Sequence, residues 1–394
     1  MSMKLLQSTF LIVGTAVGAG ILALPISTVA LGFWGSVLAL IITWGFMTYA
    51  AMNMIKARLC FTDDVDLATM TTQLLGRSAN AGVELSYLAL LMALVSMYIT
   101  VGSAWVVQLT GTYMGLEIAS HWAQIGFTAV VAGVIYSGMG NLTNVNQLIT
   151  AAKLFCLMMI IILSVPEVEE IHLEPWSLEP MPSTFSMLLT TFGFSIVLPS
   201  LAGYLDRDRR KLYIALLVGS LVIIMAYLAW ELIAFGVIGT ELSSFSKSTD
   251  KGTEVINALS QLVHKPSFTS FGFGVMLTAV LTSFLGVGHC LFSYLKDALP
   301  IQNKHQKSLV AIIAGFAAPV LIINIYPAGI SSILSFAGIF VAVILGLLPT
   351  IMVLSPEYRR IAGNLGLGHK TLAVASLVFF GGIILYEILR IILA

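Results

Sequence analysis

Gly14-Thr15-Ala16-Val17-Gly18-Ala19-Gly20 sits in the middle of an apolar run from about Phe10 to Ala30. Three glycines in seven residues weaken a helix, since each costs about 1 kcal/mol relative to alanine. Inside a bilayer the weakness matters more, because backbone that leaves the helix finds no water for its N–H and C=O groups. This stretch alone leaves two readings open. Gly14 and Gly18 form a small-xxx-small pair that lets two helices approach closely, or the backbone unwinds onto a polar cavity, as in the discontinuous helices of secondary transporters.

A second stretch decides for the cavity. Phe192-Gly193-Phe194-Ser195-Ile196-Val197-Leu198-Pro199 interrupts another apolar run half a chain later, and both stretches end in Leu-Pro, at Leu24-Pro25 and Leu198-Pro199. Glycine-interrupted segments in corresponding positions of two halves point to the binding site of a transporter.

The composition fits. Hydrophobic residues make up 58% of the 394 residues and charged residues 10%, with a mean hydropathy of +0.98. A water-soluble domain of this size cannot cover itself with so few charges. The net charge of +0 lacks the basic face that a nucleic-acid partner requires. Cys60, Cys156 and Cys290 are scattered among apolar segments, which suggests packing residues rather than disulfides or a metal site. Lys4 ahead of an apolar run imitates a signal peptide, but the run continues almost directly into another and is read as a retained first helix.

At about 20 apolar residues per crossing, the chain reads as an all-α polytopic membrane protein with eleven transmembrane helices. They run from Ser8 to Ala30, Phe33 to Ile55, Val83 to Tyr113, Trp122 to Gly138, Leu148 to Val165, Phe185 to Leu205, Tyr213 to Ile238, Phe271 to Leu295, Leu309 to Ile325, Ser332 to Leu354 and Leu372 to Leu393. With the N-terminus inside, Lys4, Lys56, Arg58, Arg77, Arg207, Arg209, Arg210, Lys211, Lys296, Lys304, Lys307, Arg359, Arg360 and Lys370 fall in cytoplasmic segments, against Lys247, Lys251, Lys265 and Arg390 outside. The positive-inside rule therefore puts the C-terminus outside. Residues 1–394 form a single transporter domain, in which residues 8–165 and 185–354 are two five-helix halves and 372–393 is an extra helix. Five is odd, so the second half enters from the opposite face, as an inverted repeat requires.

Three motifs, GTAVGAGILALP in the first helix, TTFGFSIVLPSLAGYLDRDRRKL in the sixth and its following loop, and TSFLGVGHCLFSYL in the eighth, together resemble the bacterial hydroxy and aromatic amino-acid permease family of the amino acid–polyamine–organocation group. The likeness runs over nearly the whole chain and is closest to the tyrosine- and tryptophan-transporting branch. It implies the LeuT-like five-plus-five inverted-repeat fold, substrate at the broken centres of helices one and six, and uptake across the inner membrane by proton symport. Ser195, Gly288-His289-Cys290 and Ser293 depart from the family's usual residues and bear on substrate identity.

An amino acid brings a carboxylate, an ammonium and a side chain. Free N–H groups around Val17, Gly18, Ala19 and Gly20, at the positive end of a half-helix, suit the carboxylate. Unpaired carbonyls from Gly14 through Thr15 to Ala16 and from Phe192 through Gly193 to Phe194 suit the ammonium. Tyr98, Phe192, Phe194 and Phe336 are candidates for an aromatic pocket, though a chain with 21 Phe places most of them in packing or lipid.

Intramembrane ionisable residues are functional candidates by default. Lys153 follows Asn146 and Gln147, and Thr282 and Ser283 of helix eight are its expected hydrogen-bonding neighbours. In sodium-coupled relatives of the fold an ion sits there between the first and eighth helices; in some proton-coupled relatives a lysine of helix five takes its place, and Lys153 resembles that residue. An ammonium that loses its proton during transport is a coupling device; the competing reading is a lysine that snorkels to the interface. Glu231 either relays protons or is a protonated, hydrogen-bonded carboxyl. His289 either titrates or packs neutral. Glu84 and Glu387 lie near helix ends and are expected to reach water.

Nothing in the sequence supplies a nucleophile with its base, a metal cluster, or the G-x-x-x-x-G-K-[ST] loop of a pump. No cofactor is expected beyond a proton, with sodium as the alternative ion. The partners are an amino acid and the lipid bilayer, with no nucleic acid. Serine or threonine transport and an amino-acid sensor remain open.

Overall fold

The protein is described from a computed structural model that covers residues 2–62, 65, 67–173, 177, 181–247, 251–325, 337–363 and 366–393. All of its regular elements are helical. In chain order they are α1 (Met3–Ala16), α2 (Ala19–Thr28), α3 (Gly32–Arg58), α4 (Leu67–Leu75), α5 (Arg77–Leu109), α6 (Ser120–Tyr136), α7 (Met139–Ser164), α8 (Met181–Thr191), α9 (Leu198–Tyr204), α10 (Arg209–Ile238), α11 (Lys251–Val263), α12 (Pro266–Ala298), α13 (Lys304–Ile325), α14 (Ala337–Leu354), α15 (Pro356–Ala362) and α16 (Leu367–Leu393).

Nine stretches of the described residues are long and apolar enough to cross a membrane, and this is a multi-pass membrane protein. Nine such stretches stand against the eleven crossings expected, and several helices have longer ends than expected: α5 starts at Arg77 and α7 at Met139, each a turn or more before the apolar run begins. Polar first turns are invisible to a count of apolar length. The expected helix from Ser332 starts outside the described residues, and Phe336 lies there too. The helix read as Ser8 to Ala30 is two helices, and the one read as Phe185 to Leu205 is α8 and α9 joined by a tight turn over Gly193–Val197.

Three shorter helices, α4, α11 and α15, were not expected. They lie in linkers whose mixed polarity gives no membrane-length signal, and α11 packs against α2, α10 and α12. Glu387 is also a correction: its side chain is 2% exposed and pairs with Arg390 at 2.8 Å. A long helix can bury a carboxylate near its end if a cation one turn on shares the site.

Centrality separates the long helices. In α12 78% of the apolar window is buried inside the protein, whereas in α7 and α16 the share is 28%. Helix α12 packs on α7, α5 and α1, and α1 also packs on α7 and α10. Helix α7 shows one side to lipid, through Leu148, Phe155, Met158 and Ile162. Its other side is polar and wholly buried, with Thr143, Asn146, Thr150 and Lys153.

The linkers sort onto two faces. On one, Lys4 pairs with Asp206 at 3.1 Å, Arg207 donates to Phe61 O at 3.2 Å, buried Arg58 donates to Pro199 O and Phe61 O, and Tyr136 meets His305 at 3.1 Å. On the other, Ser177 N donates to Leu31 O, Lys265 to Leu163 O and Glu169 N to Gly236 O. Apart from Pro199, which lies within the expected sixth helix, the first set joins segments expected at the cytoplasmic side and the second segments expected at the outer side. The chain threads from α6 to α7 through Gly138, whose φ of 101° is a conformation that a side chain resists.

Candidate functional site

The first helix breaks at Val17 and Gly18. Val17 has φ −72°, ψ 67°, and Gly18 is extended at φ −104°, ψ −158°. A break this short strands the carbonyls of the last turn of α1, which have no N–H four residues ahead. Each of those from Gly14 to Val17 is met by a polar group of another helix. Lys153 Nζ of α7 donates to Gly14 O at 3.2 Å, to Val17 O and to Thr282 Oγ1 of α12 at 2.7 Å. Ser283 Oγ of α12 donates to Thr15 O at 3.2 Å. Tyr227 OH of α10 lies 2.8 Å from Ala16 O.

Lys153 is fully buried, so it does not snorkel. Its ammonium has three donors and the site offers three acceptors. The charge also lies at the carbonyl end of α1, where the helix dipole favours a cation. Thr282 is fixed as an acceptor because its own hydroxyl donates to Thr278 O at 2.9 Å.

Close approach makes this geometry possible. A Cβ on Gly18 would sit 2.1 Å from Ser283 Oγ, one on Gly14 would sit 2.5 Å from Thr150 Oγ1, and one on Gly286 of α12 would sit 2.3 Å from Thr15 Oγ1. The packing and the unwinding that the glycines suggested are therefore the same feature.

The expectation that the carbonyls of Gly14, Thr15 and Ala16 stand unpaired is corrected: they hold side chains of the protein. The expectation of free N–H groups at Val17 and Gly18 is corrected too, since these donate to Val13 O at 2.9 Å and to Ala16 O at 2.7 Å. At the start of α2 no side chain caps Gly18, and Ala19 and Gly20 open the helix. Gly20 comes close to the second break, where its Cβ would meet Thr191 Cγ2 at 3.1 Å.

The second break is built from packing. Phe192 and Phe194 are fully buried, and Phe192 stacks edge-on to Tyr227 with ring centroids 5.0 Å apart. Ser195 Oγ is buried without a hydrogen-bond partner, and Cys290 Sγ lies 3.4 Å from Ile196 O. Gly193 has open space, the nearest atom to a Cβ being Leu345 Cδ1 at 3.9 Å.

Tyr227 is the residue that sequence reading missed. Its hydroxyl lies 2.6 Å from Thr191 O as well as 2.8 Å from Ala16 O, so it ties the carbonyl ends of α1 and α8 together. A tyrosine in the middle of the apolar run of α10, one turn before Glu231, was the available signal. Glu231 is buried, with Thr28 Oγ1 3.0 Å from Oε1. That places it at the far end of α2, away from Lys153.

Between the breaks lies a cavity of about 40 Å³ lined by Thr15, Tyr98, Thr190, Gly193, Ile196 and Leu345, among others. This is room for a few water molecules. Ile196 also lines a second cavity of about 470 Å³, in the range of small-molecule sites, with Tyr87, Tyr204, His289, Phe292 and Lys296 on its walls. The second cavity sits at the face where the segments expected in the cytoplasm gather. His289 Nδ1 has no hydrogen-bond partner.

Residues 1–387 match the tryptophan/tyrosine permease family. Among curated relatives, tyrosine-specific transport system 2 of Haemophilus influenzae is 28% identical over 88% of this chain and 86% of its own length. A tryptophan-specific transport protein of the same organism is 27% identical over 94% of both chains. Glutamine transporter 2 of Aliivibrio fischeri is 25% identical over 98% of this chain and 99% of its own.

Proposed function

We propose, on the premise that the chain belongs to the tryptophan/tyrosine permease family, that it imports aromatic amino acids across the inner membrane by proton symport. Membership makes the protein a permease rather than an enzyme; the substrate and the ion are our reading. The observation that carries it is the triple hold of Lys153 on Gly14 O, Val17 O and Thr282 Oγ1.

That hold gives a coupling mechanism. A protonated Lys153 satisfies three acceptors and clamps α1 to α7 and α12. A neutral amine has two N–H groups, so deprotonation leaves one acceptor unmet in a buried site, at a cost of about 1–3 kcal/mol. Such a difference is enough to bias a two-state element whose arrangements are a few kcal/mol apart. Proton release toward the inner face therefore loosens α1, and proton binding from outside restores the clamp. Sodium suits the site less well, since the ammonium already fills the place beside Thr282 and Ser283.

In this reading the helices form an eleven-span, five-plus-five inverted repeat with the N-terminus inside, and substrate sits between the two breaks. The carboxylate goes to the start of α2 at Ala19 and Gly20, and the side chain goes toward Tyr98 and the wall of the small cavity. At about 40 Å³ that cavity is in its closed form, and the larger cavity is the inner vestibule, separated from it by Ile196. The relatives' printed names favour tyrosine and tryptophan, with glutamine as the competitor to test.

The test is uptake of labelled tyrosine, tryptophan, phenylalanine, serine and glutamine into proteoliposomes under an imposed pH or sodium gradient, for wild type and Lys153→Ala. Aromatic uptake that follows the pH gradient, ignores sodium and collapses in the variant is expected. A sodium requirement, or a variant that still concentrates substrate, overturns the coupling role. Absence of uptake under either gradient points to a sensor.

A further inference from the structure

Helix α7 buries a polar line. Thr143, Asn146, Thr150 and Lys153 are each fully buried, in a protein region where only 28% of the helix's apolar window is covered. Their spacing of three, four and three residues keeps all four on one helix face, and ten residues of helix span about 15 Å. The line starts at the Lys153 ammonium and ends beside the vestibule.

The middle of the line is under-bonded. Thr150 Oγ1 and the Asn146 side-chain oxygen are buried with no hydrogen-bond partner, although Asn146 Nδ2 donates to Phe10 O at 3.1 Å. Both sit against Gly14, the nearest atoms that a Cβ there would meet. Two orphaned polar atoms are costly as dry packing; with α1 closed on them they leave a water no room, and they become positions for bridging water when α1 draws back from α7.

The end of the line is a hydrogen-bonded cluster. Thr143 Oγ1 donates to Tyr204 OH at 3.1 Å, Tyr204 OH donates to Gln7 Oε1 at 2.5 Å, and Gln7 Nε2 donates to Asn144 Oδ1. Tyr204 lines the vestibule, as do Gly138 and Met139 at the start of α7.

We infer that the groove between α1 and α7 is a water-bearing proton path, in which Thr150 and Asn146 hold the waters that carry the Lys153 proton to the inner vestibule, with the Tyr204–Gln7–Thr143 cluster at its mouth. The inference rests on the coupling role of Lys153 and adds the route. The proton leaves Nζ for a water on Thr150, and passes through water at Asn146 to bulk water at the mouth; no bond between heavy atoms changes.

The surrounding titratable groups leave Lys153 free for this role. Tyr227 of α10 is engaged with Ala16 O and Thr191 O, and Glu231 with Thr28. Cys156 lies against Gly274 of α12, Tyr98 of α5 packs on Phe284 with ring centroids 6.4 Å apart, and His289, Lys296 and Asp297 line the vestibule. On the other elements that meet α7, α6 carries His121 at its start and Tyr136 at its end, α11 carries Glu254, and Lys4 of α1 pairs with Asp206. No ion pair involves Lys153 among the described residues.

The test uses the full chain in proteoliposomes and the amino acid best taken up. Thr150→Val keeps the shape and removes the hydroxyl. Losing the hydrogen bond that positions the first water is expected to slow net uptake under a pH gradient by about tenfold, while exchange of internal for external substrate at equal pH changes by less than about twofold, because exchange needs no proton release. Thr150→Ser restores net uptake. Unchanged net uptake in Thr150→Val, or equal loss of uptake and exchange, overturns the path.

A second measurement does not depend on transport. With Cys60, Cys156 and Cys290 replaced by serine, Thr150→Cys is compared with Leu157→Cys, a buried apolar position two turns along. Labelling by a small water-borne thiol reagent from the inner face is expected to be at least about tenfold faster at 150, since only the thiolate reacts and it forms in water. Equal rates overturn the path. Wild-type uptake indifferent to the pH gradient removes the proton as cargo, which is a failure of the coupling reading, while the labelling ratio still reports whether water enters.

Discussion

The two helix breaks look alike in sequence and are built by opposite means. At Val17–Gly18 the free carbonyls are held by a buried ammonium, a serine and a tyrosine. At Gly193–Val197 the turn is held chiefly by the burial of Phe192, Phe194 and Val197, with the Tyr227 hydroxyl on Thr191 O as its one shared polar tie and an unpartnered Ser195 hydroxyl in its midst. Polar clamps release when a proton leaves, whereas apolar packing is indifferent to charge. Under the proposed coupling, the asymmetry puts the ion at the first break and mechanical adaptability at the second.

Removing the clamp is the strongest way to break this comparison. Lys153→Met keeps the length of the side chain and loses the charge, and pH-driven accumulation is expected to fall by at least about 100-fold, with three acceptors left unmet in a buried site. Retained accumulation, measured in proteoliposomes, would put the coupling elsewhere.

Next comes crowding at the first break. Gly18→Ala places a methyl 2.1 Å from Ser283 Oγ, so the serine must leave Thr15 O, and uptake is expected to drop about tenfold, the scale of overpacking a tight site. Adding Ser283→Ala relieves the clash and should recover part of the loss; a double variant no better than the single one would show that the backbone itself resists.

Tyr227→Phe probes the bridge between the breaks. It keeps the ring against Phe192 and removes the hydroxyl shared by Ala16 O and Thr191 O, costing about 1–3 kcal/mol, which should appear as a lowered melting temperature of the detergent-solubilised protein. An unchanged melting temperature would dissociate the two breaks.

The smallest effect belongs to the second break. Gly193→Ala meets nothing closer than 3.9 Å, and its stability is expected to move by less than about 1 kcal/mol, the ordinary cost of an uncrowded change. A loss as large as that of Gly18→Ala would erase the difference drawn between the breaks.

Much of this was legible in the sequence because the bilayer makes polarity conspicuous. A lysine in an apolar helix needs partners, and Lys153 met one of its two expected neighbours, Thr282; the other, Ser283, bonds the next carbonyl. The glycine clusters marked both breaks to within a few residues. Aromatic identity told less, since Phe192 and Phe194 belong to one turn and yet a composition cannot say which ring faces a cavity. Tyr227 escaped because a single hydroxyl on an otherwise apolar side chain barely changes hydropathy. The linker helices α4, α11 and α15 escaped because their signal is amphipathic spacing, not apolar length.

The clamp also orders the birth of the protein. Gly14 and the lysine that satisfies it are 139 residues apart, and Thr282 lies a further 129 on. At ribosomal speeds the lysine emerges on the order of ten seconds after the glycine. In that interval the N-terminal segment already faces hydrocarbon, where stranded carbonyls are not tolerated. The nascent segment must therefore enter the membrane as one unbroken helix, and the break that the mature protein works with is introduced later, when α7 and α12 arrive to take over its hydrogen bonds.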